Sequence, residues 1–278
     1  MRYKQPPLPF MGNKRNMLKH IKAVLETMQE DGQIDSETIF IDCFGGSGLI
    51  SHNIKQWYPS NRVVWNDYDN YQERLNHLDT TEQLRQEMAK IINDTTPYKA
   101  KAPPHTKEKI LTLLQDKAQS GAFIDYTTIS TYLLFSGNYA TNYQELAKHT
   151  FYNIIASKPL NNKGYLAGVE RTQADFIDLL ESYKDITNKC LILDPPYLQT
   201  QKGNYSDSFQ LAQFFNLIER VQKPYIFFGS HRSDIMPCFT YLSKYHKELA
   251  NHTHQQAHLN LNDTDYIIYP SPRSLFND

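Results

Sequence analysis

The run Cys190-Leu191-Ile192-Leu193-Asp194-Pro195-Pro196-Tyr197 constrains this chain more than any other stretch. Leu191–Leu193 is short, wholly apolar and closed by proline, the pattern of a buried strand that stops at Asp194. Proline has no N–H and a fixed φ, so Pro195-Pro196 cannot extend a ladder and forms a stiff turn. A carboxylate, a carbonyl without competing backbone donors and an aromatic face then stand at the carboxyl end of a strand. Open α/β sheets bind ligands there, and the combination suits a flat, hydrogen-bonding ligand such as a nucleobase. A plain strand end with Tyr197 as a surface cap is the blander alternative, disfavoured by four such residues in this order.

Two earlier strand ends carry matching chemistry. Ile39–Ile41 runs through Asp42-Cys43-Phe44 into Gly45-Gly46-Ser47-Gly48 and a helix expected over Leu49–Gln56. Glycines let a ligand approach the backbone closely, and a glycine turn after a first strand forms a nucleoside pocket. The spacing is not GxGxxG and no lysine follows as in a P-loop, which disfavours phosphate. A second strand, Asn61–Trp65, ends in Asn66-Asp67. An acid about twenty residues beyond the glycine turn is placed to hold ribose hydroxyls.

Before these, Met11-Gly12-Asn13-Lys14-Arg15 precedes a helix expected over Lys14–Gln29, with Asn13 as its N-cap. Cations in a first turn oppose the helix dipole, so Lys14 and Arg15 read either as holders of a carboxylate or phosphate or as solvated charges beside a cap.

From Tyr71 to about Arg171 the strand–turn–helix rhythm lapses into helical patterns over Thr81–Ile92, Lys107–Ala118 and Tyr126–Phe135. Residues 97–172 hold nine Lys/Arg against five Asp/Glu, while the whole chain has a formal charge of −1. Tyrosines and asparagines interleave with the basic residues. This lobe reads either as a nucleic-acid reader or as a solvated helical bundle with buried tyrosines. The rhythm resumes with a helix over Phe176–Tyr183, a polar loop at 199–208 that could close over a substrate, a helix over Leu211–Val221 and a strand over Tyr225–Phe228. Tyr241–Leu249 and Tyr266–Tyr269 are expected as the last strands. Asn251–His254 is read as an exposed hairpin tip and not a metal site, lacking acid or thiol partners.

Three widely spaced cysteines form no CxxC pair, which argues for a reducing compartment and against zinc. The start MRYKQPPLPF has no apolar leader, and no stretch approaches the ~18 apolar residues of a membrane span. A cytoplasmic protein is expected, with no membrane contact.

Taken in order, Phe10-Met11-Gly12-Asn13-Lys14, Asp42-Cys43-Phe44-Gly45-Gly46-Ser47-Gly48, Asn66-Asp67, Ala174-Asp175-Phe176 and Asp194-Pro195-Pro196-Tyr197 give the chain a resemblance to the Dam-like (D12 class) DNA adenine-N6 methyltransferases. The resemblance implies an α/β fold, a Rossmann-like seven-stranded methyltransferase sheet with one reversed strand. A catalytic domain of residues 1–70 and 171–278 would carry a helical target-recognition insertion at 71–170. S-adenosylmethionine would be the cofactor, S-adenosylhomocysteine the product, and no metal would take part. Its cofactor site would draw on Phe10, Gly12, Lys14, Asp42, Phe44, Gly45, Gly46, Ser47, Gly48, Asp67, Asp175, Phe176 and Asp194. Within it Lys14 would lie near the methionine carboxylate, Asp67 at the ribose, and Asp175 with Phe176 at the adenine. Two departures stand out. Pro9 occupies a position where many members carry a second basic residue, and Asp42-Cys43 replaces the common Glu-Pro.

Catalysis would fall to Asp194, Pro195, Pro196 and Tyr197. The target adenine would be flipped from duplex DNA and stacked on Tyr197. Asp194 and the Pro195 carbonyl would accept its N6 hydrogens, so that the nitrogen lone pair could attack the methyl group in line. Cytosine N4 and RNA are alternative substrates, and a catalytically silent DNA-binding subunit is an alternative of another class. The expected partner is double-stranded DNA, with a cognate restriction endonuclease as a further candidate and a monomer as the expected state. A bacterial or phage origin fits the resemblance.

Overall fold

The computed structural model describes residues 3–135, 137–196, 209–230, 233–260 and 263–271. Two compact units emerge, one of Met1–Gln5, Gly12–Asp69 and Gly164–Asp278, the other of Pro6–Met11 and Asn70–Lys163.

The first unit is built on a seven-stranded sheet. Its strands are β1 (Ile39–Asp42), β2 (Val63–Asn66), β3 (Glu170–Thr172), β4 (Lys189–Leu193), β5 (Tyr225–Ser230), β6 (His252–Asn260) and β7 (Asp263–Pro270). They lie in the order β3-β2-β1-β4-β5-β7-β6. Neighbours from β3 to β5 run parallel, and β7 pairs antiparallel with both β5 and β6, so β7 is the one reversed strand. This is a Rossmann-like α/β sheet with one reversed strand, the architecture that the family resemblance implies. Strand order reverses between β1 and β4, which opens a crevice at their carboxyl ends.

β4 is buried throughout, as its unbroken apolar run requires of a central parallel strand. Alternate side chains serve opposite faces. Leu191 and Leu193 join Ile41, Tyr225, Phe227 and Ile268 in a core closed by the helices over Phe176–Ser182, Leu211–Ile218 and Ile235–Leu242. Elsewhere on the sheet, the helix over Leu49–Trp57 packs on β1 and β2, and the helix over Leu18–Glu30 on β6 and β7.

The second unit is helical. Helices over Tyr71–Asn76, Leu78–Asn93, Pro104–Gln119, Tyr126–Leu133 and Tyr143–Lys148 enclose a core that includes Leu84, Met88, Ile110, Leu133 and Phe151. Numbered in chain order, the ten helices among the described residues are α1 (Leu18–Glu30) and α2 (Leu49–Trp57), α3 to α7 in this unit, and α8 (Phe176–Ser182), α9 (Leu211–Ile218) and α10 (Ile235–Leu242). A buried tie holds the unit together: Arg74 Nε lies 3.0 Å from Asp125 Oδ2, and Asp125 caps α6 by accepting from Thr128 N–H. An N–H of the same guanidinium reaches the Pro9 carbonyl at 2.9 Å.

Several expectations need correction. α1 begins at Leu18 with Met17 as its N-cap, so Asn13 does not cap it. A turn closed by Met17 N–H on the Lys14 carbonyl (2.9 Å) precedes the helix and lets Lys14 turn inward. Tyr241–Leu249 is not a strand: α10 ends at Leu242, and turns follow. Asn251–His254 is not a hairpin tip, because His252, Thr253 and His254 pair with Pro270, Tyr269 and Ile268. Edge position leaves β6, like β3, without a legible pattern. β6 (HTHQQAHLN) and β3 (Glu-Arg-Thr) each have one neighbour and a solvated side, so neither carries an apolar pattern. The loop at 199–208 lies outside the described residues.

Candidate active site

The site is assembled at the carboxyl ends of β2, β1, β4 and β5. Registers Asp42↔Trp65 and Asp42↔Ile192 bring the tips of three strands level. Asn66 ties them together. Its side-chain N–H groups donate to the Cys43 and Ala174 carbonyls at 2.9 and 3.0 Å, and its Oδ1 accepts from Ala174 N–H at 3.0 Å. That one buried amide fixes the exit of β1, the end of β2 and the approach to α8. Nothing in the Asn66-Asp67 motif itself marks this role.

Asp194, directly after β4, is ion-paired with Lys14, Nζ to Oδ2 at 2.6 Å, the two side chains being 8% and 16% exposed. Lys14 Nζ also donates to the Gly12 carbonyl at 3.2 Å and lies 5.6 Å from the centre of the Phe228 ring. Burial raises the Asp194 carboxyl above its usual range. The Lys14 charge pulls it down, and Asp265 on β7 pushes it up. Asp265 was not anticipated, since a polar residue in a late strand carries no motif. Pro195 is buried and Pro196 half-buried; Tyr197 lies outside the described residues.

Asp42 is a second buried acid. Its Oδ2 accepts from Ser51 O–H at 2.6 Å, while Oδ1 is buried with no hydrogen-bond partner. Burial pushes its carboxyl up to about 7, against the Ser51 hydrogen bond, with the neighbouring Asp194 charge adding to the rise. A buried, unpartnered carboxylate oxygen costs free energy unless a donor arrives. An amino acid's ammonium is such a donor, and Lys14 is the cation its carboxylate would need. By that criterion the residues present fit the methionine end of S-adenosylmethionine.

The glycine turn follows at once. Gly46 and Gly48 take positive φ of 47° and 74°, and Gly48 N–H closes the turn on the Gly45 carbonyl at 2.7 Å. A Cβ at Gly45 would stand 2.2 Å from Trp65 Cδ1, so glycine is what allows the turn to lie against β2. Phe44 leads into it, its ring 5.3 Å from that of Phe176 and 5.9 Å from that of Phe209. Asp67 is completely buried and paired with Arg171 Nε at 2.8 Å. Arg171, one of the basic residues of 97–172, stands on edge strand β3 facing this acid. Asp175 is exposed and caps α8, its Oδ1 accepting from Ile177 N–H at 2.8 Å. Phe10 belongs to the helical unit, edge-on to Tyr71 at 5.7 Å between centroids. Among the described residues no group of three or more His, Cys, Asp or Glu could hold a metal ion, and no helix is long and apolar enough to cross a membrane.

Acids at successive strand tips around a glycine turn, beside the point where strand order reverses, define a Rossmann-like enzyme that handles a nucleoside-bearing cofactor. Residues 10–216 match the family model of the D12 class N6 adenine-specific DNA methyltransferases. A Haemophilus influenzae protein named "Putative methyltransferase" is 36% identical over 245 residues, covering 87% of this chain and 81% of that protein. The chain therefore belongs to the D12 class N6 adenine-specific DNA methyltransferase family. Its reaction is methylation of adenine N6 in DNA, and S-adenosylmethionine use comes with the family.

Proposed function

We propose that Asp194 and the Pro195 carbonyl grip the N6 amine of an adenine flipped out of duplex DNA, with Tyr197 as its stacking surface. The observation that carries this reading is the Lys14–Asp194 pair at the tip of β4. Lys14 takes Oδ2, and Oδ1 receives one N6 hydrogen. Bound S-adenosylmethionine supplies an electrophilic methyl group. The protein's part is positioning and charge: two acceptors draw density toward N6, orient its lone pair and keep the amine fixed. A raised Asp194 carboxyl, being more basic than a free one, is suited to take the proton that N6 releases.

The cofactor residues divide the same ligand between them. Lys14 and Gly12 meet the methionine carboxylate and Asp42 its ammonium. The turn of Gly45, Gly46, Ser47 and Gly48, with Phe44, lies alongside. Asp67 holds the ribose hydroxyls, while Asp175 and Phe176 take the adenine. The helical unit is the target reader, supported by eight Lys/Arg against four Asp/Glu over 97–163.

Purified enzyme, labelled S-adenosylmethionine and unmethylated duplex DNA should yield N6-methyladenine. Asp194→Asn should lose at least ~100-fold in rate while still binding S-adenosylhomocysteine. Full activity in that variant would sink the assignment, and N4-methylcytosine as product would move the chemistry to the other amine-bearing base.

A further inference from the structure

We infer that Tyr165 and Leu166 are positioning residues for the methyl donor, bracing the glycine turn in its binding shape from the segment Gly164–Gly168. The inference rests on the reading of Gly45–Gly48 as cofactor turn and extends it to residues that no motif marks.

Three contacts define the brace. Tyr165 O–H donates to the Ser47 carbonyl at 2.9 Å, and Leu166 N–H donates to His52 Nδ1 at 3.0 Å. The Leu166 side chain closes on Gly48, where a Cβ would meet its Cδ2 at 2.7 Å. Leu166 adopts φ +58°, a left-handed conformation uncommon for a residue with a bulky side chain, between Gly164 and Gly168 at φ +75° and +76°. Such backbone persists where the surroundings over-determine it, and it concentrates at functional sites. The surroundings do so here. The His52 ring is fully buried, 4.8 Å from the Tyr165 ring, and the Tyr3 ring meets Tyr165 edge-on at 4.8 Å.

The consequence falls on a single peptide unit. With the Ser47 carbonyl held by Tyr165, the Ser47–Gly48 peptide plane is set, and Gly48 N–H is aimed at the Gly45 carbonyl. A ligand that approaches this backbone then meets a formed turn and need not order it, and preorganisation of that kind appears as affinity.

The test uses the full-length enzyme with S-adenosylhomocysteine as probe. Tyr165→Phe, which deletes only the hydroxyl, should raise its Kd by roughly 3- to 10-fold in calorimetry. KM for S-adenosylmethionine should rise in step, with kcat at saturating donor and cofactor-free DNA affinity retained. Leu166→Ala should move the same quantities in the same direction. A lower melting temperature with an unchanged Kd in both variants would show a purely structural segment and overturn the inference. Should the variants fail to fold, the wild type decides: a preformed turn protects the Gly48 amide from hydrogen exchange before any cofactor is added, and fast exchange there overturns the brace. Glycine-selective NMR separates the two levels. If the Gly45, Gly46 and Gly48 amides ignore S-adenosylhomocysteine, the cofactor-turn reading itself fails. If they respond while Tyr165→Phe binds as the wild type does, only the brace fails.

Discussion

Lys14 Nζ sits 2.6 Å from Asp194 Oδ2, although the two residues come from opposite ends of the site's sequence. A half-formed version of this pair is far worse than none, because removal of one partner strands a buried charge. Lys14→Met should therefore raise the Asp194 carboxyl further. Above that raised value the variant must bury an unpaired carboxylate, so its stability should fall as pH rises, where the wild type retains the pair. Thermal unfolding at pH 6 and pH 8 should show a larger loss at pH 8. The methylation rate should drop roughly 100-fold at either pH.

Asp42 supplies a pH signature of its own. Its carboxyl is raised from 3.8 to about 7, so between those values the folded protein holds a proton that the unfolded chain has released. This group's contribution therefore diminishes stability as pH rises through that window and levels off above about 7. Asp42→Asn should flatten the dependence, by at most ~1.4 kcal/mol per pH unit. An ammonium meeting Oδ1 favours the ionised acid. Affinity for S-adenosylhomocysteine should then weaken as pH falls below about 7, and Asp42→Asn should abolish that trend in calorimetry.

Arg171 faces a wholly buried Asp67 while itself remaining 37% exposed. Arg171→Gln should cost about 1–2 kcal/mol, less than the ~3–5 of a fully buried pair, because solvent already screens one partner. If Asp67 meets the ribose, the same variant should raise KM for S-adenosylmethionine several-fold and leave DNA affinity untouched. Equal losses for donor and DNA would count against a role confined to the cofactor.

Two glycines offer a controlled comparison. Gly48 and Gly32 share left-handed backbone, φ +74° and +69°, but a Cβ meets Leu166 at 2.7 Å in the first and nothing within 4 Å in the second. Gly32→Ala should lose only the conformational term, about 1 kcal/mol. Gly48→Ala should lose that plus about 1–3 kcal/mol of overpacking, and cofactor affinity with it. Urea unfolding curves of the two variants decide the matter.

On the helical unit, exposed Lys99 and Lys101 stand near exposed Tyr98, and Lys101 bridges to Tyr152, whose ring meets exposed Phe135 at 4.4 Å. If this surface meets phosphate, replacing both lysines with alanine should weaken DNA binding across sequences. The slope of log K against log salt should fall by about 2. An unchanged slope would place the DNA elsewhere.

The central strands were legible because burial on both faces forces continuous apolar runs, as in Ile39–Ile41 and Leu191–Leu193. Glycine and proline turns were legible for a similar reason, since few residues tolerate their backbone. β3 and β6 were not legible: a solvated edge leaves no apolar record, and the hydrogen bonds that define it come from a neighbour distant in sequence.

By itself, then, the sequence determined the sheet's interior, the acids at its strand tips and the order of motifs that marks the family. Local patterning and stereochemistry suffice for these. Only the tertiary structure decided which polar groups meet: Lys14 with Asp194, Arg171 with Asp67, Ser51 with Asp42, and Tyr165 with the Ser47 carbonyl. Pairings of this kind depend on where the chain returns after 9 to 180 residues, and on burial that makes each partner indispensable.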